Sequence, residues 1–250
     1  AAYDISEGLK RQAEALSECD PHRMQLLRES RQTAGYLREL TPLVKWFGAE
    51  EVIGVTRKAM QIYGGYGVIK DYDVERLLRD SLILPIYEGT SQIQALLATK
   101  DVLKAALSKP TVLLGGTVSG SLAAANFSGT LGRLYRSARS EVNAAIRYLL
   151  LDLIKQGGID GALGMMRGKP AIDDEKISYV LLHAERLTAM LAHLHAARLL
   201  AEQASKDPSR LSIAERAMRR TLQVARDGAF VIKAGDRSPL ETISSWTAVS

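Results

Sequence analysis

The chain has 250 residues, 46% of them hydrophobic and 24% charged, which is ample material for a buried core and gives room for one or two domains. Its single cysteine, Cys19, excludes an intramolecular disulfide; no run of about 20 apolar residues and no signal-peptide pattern is present, so a soluble protein without a membrane span is expected. The lone cysteine fits a reducing compartment such as the cytoplasm, and the net charge of +5 is only a moderate basic bias.

In chain order, apolar positions three and four apart predict an amphipathic helix over 3–18 (Ile5, Leu9, Ala13, Leu16) and another over 22–40 (Met24, Leu27, Ala34, Leu37), separated by Asp20-Pro21. Thr41-Pro42 is read as the start of the next, through Leu43, Val44 and Phe47, with Trp46 in the core. Gly48 to Met60 gives a further helix with Val52, Val55, Ala59 and Ile62 towards the core, Val74 to Leu84 a short one, and Gln92 to Leu107 the last before a change of composition. An all-α helical bundle is the architecture these elements imply.

Two segments between the helices carry distinctive chemistry. Gln61-Ile62-Tyr63-Gly64-Gly65-Tyr66-Gly67 reads first as a helix ending near Tyr63, with Gly64 or Gly65 left-handed. These glycines follow no predicted strand and lack the Lys-Ser/Thr of a phosphate-binding loop, so neither nucleotide fingerprint applies. In Pro85-Ile86-Tyr87-Glu88-Gly89-Thr90-Ser91-Gln92-Ile93-Gln94, Pro85 ends the preceding helix and Gly89 permits a backbone angle other residues resist. Ser91 with Gln94 forms a capping box, with Thr90 the alternative cap. The helix start offers unpaired N–H groups to an anion such as a phosphate. Glu88, between apolar neighbours and that helix start, is on pattern alone a dipole partner; desolvation by Tyr87 and Ile86 would instead strengthen its carboxylate as a proton acceptor, as a general base needs.

Beyond Lys109-Pro110 the sequence turns Gly- and Ser-rich, and a linker is read over 109–131. Helices are predicted over roughly 133–155, 174–205 and 211–233, the second with a stripe of Ile177, Val180, Leu181, Ala184, Leu187, Leu191, Leu194 and Leu199. Asp207-Pro208 marks a turn and Ser212-x-x-Glu215 a capping box. His183, His193 and His195 share a predicted helix but not a face, so no metal site is expected there. Arg216, Arg219, Arg220 and Arg226 read as a solvated face, with contact to a ligand's phosphates or an acidic neighbour as the sharper alternative. The tail Gly235-Asp236-Arg237-Ser238-Pro239 is expected to loop over the surface, with Trp246 docking in a groove.

Taken together, Gln61-x-x-Gly64-Gly65-x-Gly67, Tyr72-x-Val74-Glu75-Arg76, Arg79-Asp80 and Ile86-Tyr87-Glu88-Gly89-Thr90-Ser91-x-Ile93-Gln94 resemble, in order, spacing and residue type, the C-terminal helical domain of the flavin-dependent acyl-CoA dehydrogenases. The resemblance implies that Glu88 is the catalytic base, taking a proton from the carbon next to the thioester carbonyl while a hydride from the next carbon passes to FAD. It implies that the Glu88 main-chain N–H polarises the thioester oxygen, that Tyr87 and Gly89 line the substrate site, and that Thr90 and Gln92 touch FAD. Gln61, Gly64 and Gly65 resemble the segment that approaches the FAD of a neighbouring subunit, in a homodimer or homotetramer. The implied partners are an acyl-CoA, whose phosphates the basic bias suits, and an electron-transferring flavoprotein or similar acceptor. The sequence departs from the family at Asp73, where Pro is common, and at Asp71, where Glu is usual; Asp suits a first helical turn, so the helix is expected to persist.

The resemblance also implies the domain plan: residues 1–108 as the C-terminal helical domain, 109–131 as linker, and 132–250 as a second helical bundle or extension like that of some longer members. Because the chain opens Ala1-Ala2-Tyr3-Asp4 within helical pattern, it reads as a C-terminal fragment lacking the family's N-terminal helical and middle β domains, and alone is expected to be inactive. Two other classes stand beside the enzyme: a family-derived module with an assembly or interaction role and no redox activity, and a basic nucleic-acid binder, which lacks aromatic interleaving and recognised motifs.

Overall fold

The structure, a computed structural model, describes residues 2–16, 20–107, 127–166 and 174–247, with side chains described except at 2–6, 21, 157–166, 174–176 and 244–247. The described residues are predominantly helical, and no strand occurs among them. They divide into two compact units, Ala1–Pro42 and Leu43–Ser250. The elements are α1 (Ala2–Glu14), α2 (Pro21–Tyr63), a 3-10 helix (Gly64–Val68), α3 (Asp73–Ser81), α4 (Ser91–Leu107), α5 (Gly129–Met166), α6 (Asp174–Leu182), α7 (Ala184–Lys206), a second 3-10 helix (Pro208–Arg210), α8 (Leu211–Ala234) and α9 (Ser238–Thr247). No helix among the described residues is long and apolar enough to cross a membrane.

In the first unit Ala13, Leu26 and Ser30 are buried, whereas Met24, expected inside, is 53% exposed. The break expected at Thr41-Pro42 does not occur, nor does a new helix start at Gly48: α2 runs through both. Proline removes one N–H and crowds the preceding turn, a local cost of about 3 kcal/mol that a 43-residue helix with good formers on both sides can carry. Thr41 adds a bond of its own, its Oγ1 donating to the Leu37 carbonyl at 2.8 Å.

The second unit is built around α5, α7 and α8. Helix α8 packs along α5 and α7, while α4 lies against α7 and α5. The core is drawn from both ends of this unit: Leu43, Ala98, Val102, Leu103 and Ala106 from the first half join Tyr135, Ile146, Leu149, Leu150, Leu187, Met190, Leu191 and Leu194 from the second. In α4 the buried positions Ser91, Ala95, Ala98, Thr99, Val102 and Ala106 recur at helical spacing, and their small size brings α7 close. The Thr99 and Thr188 hydroxyls use that approach, donating across the interface to the carbonyls of Ala184 (3.4 Å) and Ala95 (3.3 Å). Trp46 and Phe47 pack against this core, as expected of Trp46.

Other expectations need correction. Val55 and Ile62 are 60% and 85% exposed, so the apolar stripe at the end of α2 runs past the core and stands open. Helix α3 stops at Ser81 rather than Leu84, its last turn closed by the Ser81 hydroxyl donating to Leu78 O at 2.6 Å. The stretch read as 174–205 is two helices, broken at His183. Helix α5 extends from Gly129 to Met166, beyond 133–155 at both ends. Ser212 lies inside α8, whose N-cap residue Arg210 makes no side-chain capping bond; Asp207 instead caps the preceding 3-10 helix, accepting from Ser209 N at 3.1 Å. The tail loops only over 235–237, with Gly235 left-handed at the end of α8, before Ser238 opens α9. Cys19 and residues 109–126 of the expected linker lie outside the described residues, as does the Trp246 side chain.

Candidate functional site

Helix α3 starts at Asp73, one residue before the expected Val74. Asp73 and Glu75 place negative charge in the first turn, where the helix dipole favours it. Their ion pairs with Arg76 (3.0 Å) and Arg79 (3.3 Å) are exposed and add little. At its far end Ser81 Oγ lies 3.3 Å from Thr56 Oγ1 on α2, fixing where the following chain departs. That chain folds back through short bonds of its own. Ile86 N donates to Ile83 O (2.9 Å), Tyr87 N to Ile83 O (3.2 Å) and Ser91 N to Pro85 O (2.9 Å).

Closing so tight a turn requires unusual backbone angles. Glu88 has φ +50 and Gly89 φ +91. A Cβ at Gly89 would meet only the movable end of the Gln94 side chain, 2.5 Å away at Nε2, so glycine is required there by the angle rather than by space. Glu88 is the non-glycine residue at positive φ among the described residues; such angles in non-glycine residues cost of order 1–3 kcal/mol and cluster at functional sites. The turn presents Glu88 to solvent, with Ile86 63% and Tyr87 42% exposed beside it. The desolvation expected of those two neighbours is therefore not supplied within this chain. A side chain absent from the sequence reading meets the turn from α2: Lys45 Nζ donates to Leu84 O at 2.8 Å and lies 3.9 Å from the centroid of the Tyr87 ring. Its signal in the sequence was a lone cation within Leu43-Val44-Lys45-Trp46-Phe47.

Helix α4 is capped by the alternative residue. Thr90 Oγ1 accepts from Ile93 N at 3.3 Å, whereas Ser91, expected to cap, is buried with its hydroxyl lacking a hydrogen-bond partner. As acceptor, Thr90 keeps its own O–H proton available to a ligand. Gln92 is exposed on the first turn.

The other segment closes α2. Tyr63 ends the helix, Gly64 is left-handed at φ +58, and nothing stands within 4 Å of a Cβ built on Gly64 or Gly65. Gly67 has a different reason to be glycine, since a Cβ there would lie 2.6 Å from Met60 O. The Tyr63 and Tyr66 rings meet the Tyr72 ring edge-on at 5.8 and 5.7 Å, which ties the segment to the start of α3. Gln61, Gly64, Gly65, Glu88 and Gln92 are exposed, and Thr90 is half-buried.

The histidines do other work. His183 sits at the α6–α7 break, its Nδ1 2.7 Å from Arg186 Nη1. Burial and then the Arg186 charge push its pKa down to about 4. Burial and Arg198 bring His195 to about 4 as well. His193 Nε2 lies 3.3 Å from Glu51, which also receives Arg220 at 2.8 Å; burial lowers the His193 pKa against the opposing pull of Glu51. Arg220 is thus part of a polar knot between α2, α7 and α8, while Arg216, Arg219 and Arg226 are exposed. No three potential metal ligands converge among the described residues. A surface cavity lined by Phe127, Thr130, Ala201, Ser205, Leu211 and Glu215 shares no residue with either glycine-containing segment.

Residues 12–103 match the family model described as acyl-CoA dehydrogenase, C-terminal domain. Among curated relatives, the chain is 48% identical over 62 residues to a 3-(aryl)acrylate reductase of Clostridium sporogenes, covering 25% of this chain and 16% of that one. It is 49% identical over 61 residues to an acyl-CoA dehydrogenase of Bacillus subtilis, covering 24% and 16%. It is 45% identical over 62 residues to subunit CarC of a caffeyl-CoA reductase-Etf complex of Acetobacterium woodii, again covering 25% and 16%. The chain spans about one sixth of the length of these relatives.

Proposed function

We propose, from the premise that residues 12–103 of this chain belong to the acyl-CoA dehydrogenase family as its C-terminal domain, that the turn at 85–90 is part of an acyl-CoA desaturation site with Glu88 as its base. The observation carrying this reading is the Glu88 backbone, held at φ +50 in a turn where glycine would be the easier residue. Glu88 takes the proton from the carbon beside the thioester carbonyl, and its main-chain N–H meets the thioester oxygen as charge builds there. Tyr87 and the small Gly89 border the acyl chain. In the opposite direction the same carboxyl returns the proton, and reductases stand among the relatives.

The residues present suit FAD. Gly64 and Gly65 leave open backbone beside the exposed rings of Tyr63 and Tyr66, which fits close approach of a flat, bulky group. Gln61 lies with them, while the Thr90 hydroxyl, Gln92 and the N-terminal end of α4 offer donors to a diphosphate. When bound, FAD supplies the hydride acceptor. The resemblance of the Gln61, Gly64 and Gly65 segment to one that approaches the FAD of a neighbouring subunit supports a site completed by a second copy, in a homodimer or homotetramer. The Etf complex named for one relative supports an electron-transferring flavoprotein, or a similar acceptor, as partner.

The division into a C-terminal domain at 1–108, a linker at 109–131 and an extension at 132–250 belongs to the same reading, as does the inactivity of the isolated chain. A second reading, a helical module for assembly without redox chemistry, is favoured by the exposed apolar residues Ile62, Tyr66, Val68 and Ile86. Anaerobic mixing of the whole flavin-loaded protein with acyl-CoAs separates the two. The enzyme reading expects the yellow absorbance to bleach, and Glu88→Gln to keep flavin while bleaching at least ~100-fold more slowly. Bleaching of the Glu88→Gln protein at the parental rate would remove Glu88 from the role, and no bleaching by any acyl-CoA would favour the assembly module.

A further inference from the structure

We propose that Lys45 is the positioning residue of the Glu88 turn, acting from α2 through the Leu84 carbonyl and the Tyr87 ring. The proposal deepens the reading of Glu88 as the base and takes its significance from it. The bonds within 81–91 are local: Leu84 N to Ser81 O, Ile86 N and Tyr87 N to Ile83 O, and Ser91 N to Pro85 O. Such bonds give the turn its shape, and beyond the Ser81–Thr56 contact that holds its start they do not tie it to α2. Lys45 supplies the fixed point. Its half-buried ammonium makes a charge-assisted bond of 2.8 Å to Leu84 O and sits 3.9 Å above the Tyr87 ring centroid, gripping the turn at two residues.

Tyr87 immediately precedes Glu88, so the ring under the ammonium sets the plane from which the positive-φ residue departs. The glutamate is exposed and finds no buried wall among the described residues to fix it. Its bearing, and that of its main-chain N–H, follow from the anchored peptide before it. A lysine suits the task because three donors on a flexible stem can serve a carbonyl and a ring face together. Lys45 need not meet the substrate.

The test compares Lys45→Met, which keeps the stem without the charge, with Lys45→Arg. In this chain, hydrogen exchange at the Ser91 amide reads the turn without any catalysis. Lys45→Met is expected to speed it about tenfold while leaving buried α5 amides unchanged, and Lys45→Arg to recover most of the protection. In the whole flavin-loaded protein the limiting rate of flavin reduction is expected to fall about tenfold with acyl-CoA affinity unchanged, again restored by Arg. Parental Ser91 exchange in Lys45→Met would overturn the proposal, as would equal acceleration in α5, which would mark a lysine that merely holds the fold. Should Glu88→Gln reduce flavin normally while Lys45→Met still frees Ser91, the base reading falls and the grip of Lys45 on the turn stands.

Discussion

Thr90 and Ser91 show how one position in the chain decides between two chemically similar side chains. Both can cap a helix, and the sequence pattern ranked Ser91 first because Gln94 stands three residues beyond it. The turn reverses that order. Its close bond from Ser91 N to Pro85 O makes Ser91 the first residue inside the helix, where its hydroxyl is buried without a partner, while Thr90 remains outside with its oxygen facing Ile93 N. Removing the Thr90 hydroxyl by Thr90→Val therefore costs about 1 kcal/mol of stability, whereas Ser91→Ala is neutral or stabilising, because it deletes a desolvated group that gains nothing from folding. Urea titration of the two variants checks this, and equal losses would contradict it. The same limit applies to Glu88. The motif marked the residue, but its positive φ arises from the closure between Ile83 and Ser91, which no residue type announces. Lys45 was legible only as a lone charge among apolar residues, since its partners are 39 and 42 positions away.

At the scale of elements, the spacing of apolar residues located the helices well and their ends poorly. Gly64 was readable as a terminator because a left-handed residue after Tyr63 is a local event. Pro42 was not, because a long helix absorbs a local penalty. The break at His183 was also hidden, since Val180, Ala184 and Leu187 keep helical spacing across it. That break carries a pH dependence. His183 and His195 are held neutral, with pKa values lowered from the ordinary 6.5 to about 4 by burial and by Arg186 and Arg198 respectively, Asp236 pulling His183 the other way. The unfolded chain binds these protons first as pH falls. Their neutral burial thus contributes fully above about pH 6.5 and is lost as pH drops towards 4. The melting temperature should fall between pH 7 and pH 4, and His183→Asn, which keeps an acceptor for Arg186, should make the decline shallower. A flat profile for the parent would contradict this account.

On the scale of the whole molecule, the unit from Leu43 onward shares one core between the family-like helices and those beyond residue 127. The Glu51–Arg220–His193 knot adds a polar link across them. The composition foretold a core of this size, but which helices share it depends on contacts far apart in sequence. Exposed apolar residues recur from Ile62 to Leu97, within and around both predicted site segments, and are what the proposed flavin, acyl chain or further protein would cover. The central claim is that Glu88 moves the proton of the carbon next to the thioester. It is tested most directly by following solvent deuterium into that carbon of a bound acyl-CoA analogue that cannot give up a hydride, using the whole flavin-loaded protein. The account predicts rapid incorporation by the parent and loss of at least ~100-fold in Glu88→Gln with flavin retained; incorporation at the parental rate in that variant would contradict it.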